Sequence, residues 1–510
     1  MSRGSFAATA VFLIVAGVTH AQPPAAPTKV LKEYWEAIYI ENAKVGHAHA
    51  VCAEYPQGAR TLIRATLKVE LSIRRLNQEA LLAFSVADYE TSDGKVLTFG
   101  YQQTLNGQQA LLHTGEVDND QNVATIKTTL GNNPPVESKI KWDEQTIGLY
   151  TETKLFQNRK LTPNKDFDYL IFMPDFKKIL RFHVELKDYE EVKLLQGETK
   201  RLLRVEKKVT EKIEGVPLPT EVDWIDDNGE VLKRSVSLPT IGQLTHYRTT
   251  EAVAKARGSS AAVDLGSSQI IRLNRNIARP DDAAELVYKV KLDGVDEPGK
   301  AFASDDHQQI RNLQGNQFEI VVRGFATPSG NQPGNGEAPK EYLKSNHFLR
   351  SDDPKVRELA NRAVGSQLDP WEKAQRIERW VYANMEKRDL TQTFTSADQV
   401  ARKPDGDCRQ HAVLAAAMCR AVGVPSRTVL GLVYSPDDRA MIFHMWIEVW
   451  IGGKWYPLDP TRGQGRVAAD HLKIADQHWN DETSLRPFIA VYRVVGKLQI
   501  DVGNVRYNSP

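Results

Sequence analysis

The sequence predicts an α+β protein in which a unit of helices and antiparallel sheet near the C-terminus follows large antiparallel β-rich domains. Three observations predict it. Between about residues 30 and 255, alternating runs such as Leu67, Val69, Leu71 and Ile73 are punctuated by the hairpin dipeptides Asp93-Gly94, Asn106-Gly107 and Asn228-Gly229. From Asp353 onward the apolar period becomes helical, with Ala374, Ile377, Val381 and Met385 on one stripe beside Trp380. After residue 440 the alternation returns, as Met441 to Trp450 and Lys454 to Thr461 flank a Gly452-Gly453 turn.

The remaining elements follow in chain order. Arg3, the apolar run Ala7 to Val18 and the small-residue site Thr19-His20-Ala21 predict a signal peptide over 1–21, with the mature chain starting at Gln22. The same run retained as an uncleaved anchor is the alternative, but it is short of the roughly 18 apolar residues that a span requires. Export to the periplasm or the medium is the expectation, with association with the cell envelope as its extension. Residues 22–255 read as an antiparallel β-rich domain, whose His47, His49 and His113 have no acidic neighbour at ligand spacing and read as surface or satisfied polar groups. Residues 256–335 read as a small β-rich domain and linker; the Ala/Gly/Ser-rich stretch Glu251 to Ser268 leads into strand candidates Ile270 to Leu273, Leu286 to Leu292 and Phe318 to Val322. Pro328 to Pro339 is a flexible boundary. Residues 336–478 form the next unit, and Asp353-Pro354 and Asp369-Pro370 each put a capping acid before a proline at the first helical position. Ser396 to Ala401 reads as a further short helix. Residues 479–510 read as a β-hairpin tail, with strands on either side of Gly496.

Composition bounds what such a chain can do. Its 510 residues are 41% hydrophobic, enough for several cores, and Lys+Arg 66 against Asp+Glu 65 leaves no charge excess to attract nucleic acid or an anionic membrane. Three cysteines exclude a CxxC-type zinc site. Cys408 and Cys419, on one predicted helix, would lie about 16 Å apart at 1.5 Å per residue, too far to bridge, and Cys52 has no evident partner, so no disulfide is expected.

The chemistry concentrates around Cys408. Gly406 allows a sharp turn, the run from Ala412 to Met418 is strongly helix-forming, and Gly423 with Pro425 ends the helix. Cys408 therefore sits at a helix start, where outward-pointing amides and the positive end of the dipole favour an anion. On the following strand, His444, Trp446, Glu448 and Trp450 share a face, and the tight turn returns the chain so that Asp459 falls beside His444. The order reads as nucleophile Cys408, base His444 and orienting carboxylate Asp459. Cys419 reads as a small buried hydrophobe.

These motifs resemble the transglutaminase-like superfamily of cysteine enzymes in its bacterial form. The resemblance rests on Gly406-Asp407-Cys408, the alanine-rich helix ending in Gly423-Val424-Pro425-Ser426-Arg427, and the run Phe443 to Thr461, and it covers about residues 340 to 475. It implies a papain-like cysteine-enzyme core of N-terminal helices plus an antiparallel sheet, with Cys408, His444 and Asp459 as catalytic residues and no cofactor or metal. It departs at Met445, where many relatives have alanine. The implied reaction is acyl transfer from a peptide or amide bond of a protein or peptide substrate through a thioester. Hydrolysis is favoured over cross-linking to amines, and a non-catalytic envelope binding module is the reading from another class. The Cys408 N–H is the expected first oxyanion donor, with Gln399 and Gln392 as candidates for the second. A metal site at Asp470, His471, Asp476 and His478 is the weaker reading, since so polar a helix-like stretch is usually a solvated face. The oligomeric state is not legible.

Overall fold

The computed structural model describes residues 27–57, 60–75, 78–131, 133–157, 161–213, 216–238, 242–256, 270–324, 328, 340–387, 394–480 and 489–508. The expected signal peptide, most of the Pro/Gly boundary and Gln392 lie outside these residues.

The period-two patterning of the first half builds a single sheet of fifteen strands. Eight strands from Lys29–Ile40 to Val136–Lys141 form a meander. The strands from Thr146–Ile147 to Gly242–Thr249 extend the sheet the other way, apart from Lys212–Ile213 and Val216–Pro217, which pair only with each other, and Gly242–Thr249 pairs with Lys29–Ile40, setting Tyr39 against Thr245. All pairs are antiparallel except Thr146–Ile147 with Lys165–Met173. The sheet curls on itself. Ile147 bridges Lys95, and Phe99, Ile126 and Trp142 from one end pack with Phe172 and Ile179 from the other.

Lateral pairing supplies the partners that satisfy the early histidines. Register places Trp35 opposite His49, whose Nε2 lies 2.8 Å from Glu33 Oε1 and whose ring stacks on Trp35 at 3.8 Å. His47 lies 3.8 Å from Glu70. These acidic partners sit on neighbouring strands, so spacing along the chain does not reveal them. His113 is buried and bonded through Nδ1 to Thr128 at 2.8 Å, and burial pushes it down to about 3.

The small β unit is a four-stranded sheet ordered Gln308–Gln314, Gln317–Arg323, Ala283–Leu292, Leu498–Tyr507. Two expectations change here. Ile271–Arg272 is a strand, but it pairs with Ala440 and Met441 in the sheet that carries His444. The tail is not a hairpin among the described residues. Ile489–Tyr492 is a short helix and Leu498–Tyr507 a single strand along Ala283–Leu292. The residues before Gly496 instead close turns such as Val494 N–H to Val491 O at 3.1 Å. The expected linker from Glu251 likewise opens as a helix, Glu251–Lys255, capped by Thr250.

The C-terminal unit stacks helices on a sheet. Asp353 and Asp369 cap Pro354–Val364 and Pro370–Asn384 by accepting from Lys355 and Glu372 amides, both at 2.8 Å. These helices and Ala397–Arg402 surround Cys408–Ala421, whose residues from Ala412 to Cys419 are fully buried. The sheet beneath runs Ile271–Arg272, Ala440–Ile451, Ser426–Ser435, His471–Gln477, with Lys454–Leu458 paired to the far part of Ala440–Ile451. This core is continuous with its neighbours. Tyr101, Leu111 and Leu130 of the large sheet join the helical cluster, and Leu432, Tyr434, Met441, Leu472 and Ile474 share a cluster with the small sheet.

Candidate functional site

Asp407 caps the cysteine helix and forms a capping box with Gln410, so Cys408 occupies the first helical position. Gly406 precedes it at φ 141, where a Cβ would meet the Gln410 side chain at 2.6 Å; only glycine fits the turn without displacing the cap. Cys408 is half-buried, whereas Cys52 and Cys419 are buried, and all three are free thiols.

Strand Ala440–Ile451 carries His444 opposite Gly431 of Ser426–Ser435. A Cβ on Gly431 would lie 2.5 Å from the Trp446 ring, so the glycine makes room for the indole that walls the site. The Gly452-Gly453 turn returns the chain as expected, pairing Ile447 with Leu458 and leaving Asp459 just past the strand end. His444 Nε2 lies 2.9 Å from Asp459 Oδ2, and the same histidine is hydrogen-bonded to Cys408. Three residues read from sequence spacing thus meet at one point. Burial opposes charging His444, but Asp459 and Cys408 outweigh it and raise its pKa to about 10. Asp459 is held well below the usual carboxylate range against the cost of its own burial by His444 and His471.

His471, which the sequence offers only as a metal-ligand candidate, lies against Asp459. Its stretch is a buried strand, His471–Gln477, paired with Ser426–Ser435 and not a solvated helical face. Polar residues tolerate burial there because each meets a partner. His471 Nε2 lies 3.2 Å from Asp459 Oδ2 and Nδ1 lies 2.8 Å from Asp470 Oδ1, while Arg462 Nη1 donates to Asp470 Oδ2 at 2.7 Å. The four-residue metal reading dissolves accordingly. Asp476 pairs with Arg427 and Lys473, and His478 packs edge-on to Tyr342. The donor atoms of His444, Asp459 and His471 lie within 4.8 Å of one another, but the two hydrogen bonds to the shared oxygen account for that spacing, and these side chains are not read as metal ligands.

Gln399 is also reassigned. It packs at the contact with the large sheet, donating to Asn133 Oδ1 at 3.1 Å, because its helix caps onto that sheet through Ser396 and Asn133. No role beside Cys408 is drawn for it.

The loop after Asp459 is pinned by a buried acid. Gly465 N–H donates to both Glu378 carboxylate oxygens at 3.0 Å, and Gln375 Nε2 donates to Gly465 O at 2.9 Å. Burial, with Asp459 nearby, pushes Glu378 up to about 8. An acid raised in the fold stabilises in full below its unfolded pKa near 4.5, and that contribution is lost as pH climbs to about 8. Glu378→Gln should therefore remove a pH-dependent loss on the order of a few kcal/mol. Chemical denaturation at pH 5 and pH 9 checks this, and parallel stability curves for variant and parent would contradict it.

The helix-borne cysteine, strand-borne histidine and carboxylate thus meet on an α+β core. Residues 357–460 match the transglutaminase-like superfamily, so the chain carries a transglutaminase-like domain there. No curated protein matches the chain. Among solved structures, a candidate cysteine protease from Cytophaga hutchinsonii is 18% identical and covers 44% of this chain and 87% of its own, at a TM-score of 0.28. The periplasmic domain of TgpA from Pseudomonas aeruginosa, bound to ethylmercury, is 15% identical over 38% of this chain and 97% of its own, at 0.22. A beta-barrel-like protein of unknown function from Brucella abortus is 10% identical over 44% of this chain and 98% of its own, at 0.31.

Proposed function

We propose that the protein is an exported transglutaminase-like cysteine enzyme that cleaves peptide or amide bonds through Cys408, His444 and Asp459. The observation that carries this reading is His444 lying between Cys408 and Asp459 in a buried, partnered geometry. His444, raised to about 10 by Asp459 and Cys408 in spite of its burial, carries at neutral pH the proton that the leaving group will need. The Cys408 sulfur attacks the substrate carbonyl, and the Cys408 N–H at the helix start stabilises the oxyanion. His444 gives its proton to the leaving ammonia or amine, and a thioester remains. Water then loses a proton to His444 and attacks the thioester, releasing the acid and returning the thiolate and imidazolium. Export is supported by the n-region, apolar run and small-residue site of residues 1–21.

Iodoacetamide labelling at neutral pH, read by intact mass, tests the site. Rapid single labelling is expected, lost in Cys408→Ala and retained in Cys419→Ala; slow, equal labelling of all three cysteines would favour a binding module. Incubation with a peptide amide and millimolar methylamine then separates the outcomes. Free acid is expected as the main product, and dominant methylamide would make the protein a cross-linker.

A further inference from the structure

We propose that His471 is a positioning residue of the Cys408 site, holding Asp459 from the side away from His444 and setting how strongly that carboxylate acts on His444. The inference rests on the proposed function. Asp459 is buried and both its oxygens are engaged: Oδ1 accepts from Thr461 N–H at 2.8 Å, and Oδ2 is shared by His444 Nε2 at 2.9 Å and His471 Nε2 at 3.2 Å. A carboxylate so fixed cannot swing away from the catalytic imidazole. Its position is inherited from a chain of groups alternating in charge, from His444 through Asp459, His471 and Asp470 to Arg462.

That chain is anchored in the sheet. His471 pairs with Val433, Tyr434 N–H donates to Asp470 O at 3.1 Å, and Arg462 Nη2 donates to Tyr434 O at 2.8 Å. Trp446 sets its ring face-to-edge with His471, with centroids 5.2 Å apart, so the imidazole is confined on that side too. The charged and titratable groups around His471 are Asp470 just before its strand and Lys473 on it, His444 on the histidine strand, Asp459 and Arg462 on the loop after Lys454–Leu458, and His307 from the small sheet's unit. Asp470 and Asp459 hold His471 above its ordinary value in spite of burial. In an interior of low dielectric, a carboxylate shared by two imidazoles pulls less on each than it would on one. His471 thereby has two separable effects: its hydrogen bond fixes Asp459, and its charge moderates the basicity of His444.

Two variants separate them. His471→Gln places an amide N–H near the position of Nε2, keeping the hydrogen bond to Asp459 while removing the charge. His471→Ala removes both. On a peptide amide, His471→Ala should lower kcat by roughly ten- to a hundredfold, as for other groups that orient a buried histidine, with little change in KM. His471→Gln should recover most of that loss. The His444 imidazole midpoint, followed by NMR on the full chain, should rise in His471→Gln. Should His471→Ala fail to fold by near-ultraviolet circular dichroism, the NMR midpoint of His471→Gln alone decides. Unchanged kcat in His471→Ala, or an unmoved or lowered His444 midpoint in His471→Gln, overturns the positioning role. Iodoacetamide labelling run in parallel keeps the two proposals apart: fast Cys408 labelling with an unmoved midpoint sinks only the role of His471, whereas slow Cys408 labelling in the parent protein sinks the reading of the site itself.

Discussion

Asp459→Asn is expected to keep the fold and lower acyl transfer by about three to four orders of magnitude. An asparagine is nearly isosteric, and its oxygen can still accept from one ring. It cannot offset the imidazolium, and its amide can present N–H to His444 and stabilise the wrong tautomer. Without the carboxylate, the His444 pKa should fall from about 10 toward the ordinary histidine range, because Cys408 alone then opposes burial. The same change should appear in stability against pH. A histidine raised in the fold contributes in full below 6.5, and that contribution is lost as pH rises to about 10. Asp459, held low, contributes above its unfolded value near 3.8 and loses this as pH falls. Both describe one ion pair, so a single substitution should flatten both limbs of the wild-type curve. Turnover of a peptide amide and denaturation across pH read the two effects; full activity in Asp459→Asn would remove Asp459 from the mechanism.

The sequence shows Cys408, His444 and Asp459 because each depends on local structure: a helix start, strand alternation and a two-glycine turn, all set by a few neighbouring residues. The caps at Asp353 and Asp369 are legible for the same reason. The long sheet is legible as strands but not as an order, since pairing Gly242–Thr249 with Lys29–Ile40 joins segments some two hundred positions apart. His471 was hidden by composition. In His471-Leu472-Lys473-Ile474-Ala475-Asp476-Gln477 a lysine, an aspartate and a histidine suggest solvent, and only the neighbouring strands and the small unit supply their partners. Strand Ile271–Arg272 was seen but assigned to the wrong sheet, because strand propensity does not say which edge a strand will find.

The same buried strand carries the largest stability effect expected here. Glu448, two residues beyond Trp446 on the histidine strand, receives Lys473 Nζ at 2.9 and 3.0 Å and Arg427 Nε at 2.7 Å, all three side chains being buried. Lys473 also reaches Asp305 from the small unit and Asp476 on its own strand, each at 3.0 Å, and Arg427 reaches Asp476 at 2.9 Å. Asp305 and Asp476 are more open to solvent than Glu448, so they screen the two cations less well once it is gone. Glu448→Ala leaves two buried positive charges facing each other across a cavity, and should cost about 3–5 kcal/mol. Glu448→Gln keeps the volume and one acceptor and should cost less. Replacing both partners, as Glu448→Leu with Lys473→Met, should recover part of the loss, because the charge that Glu448 answered is then reduced to Arg427, which keeps Asp476. Urea denaturation of the single and double variants closes the cycle. A loss under about 1 kcal/mol in Glu448→Ala would mean that water reaches the cluster and that the network behaves as a surface one.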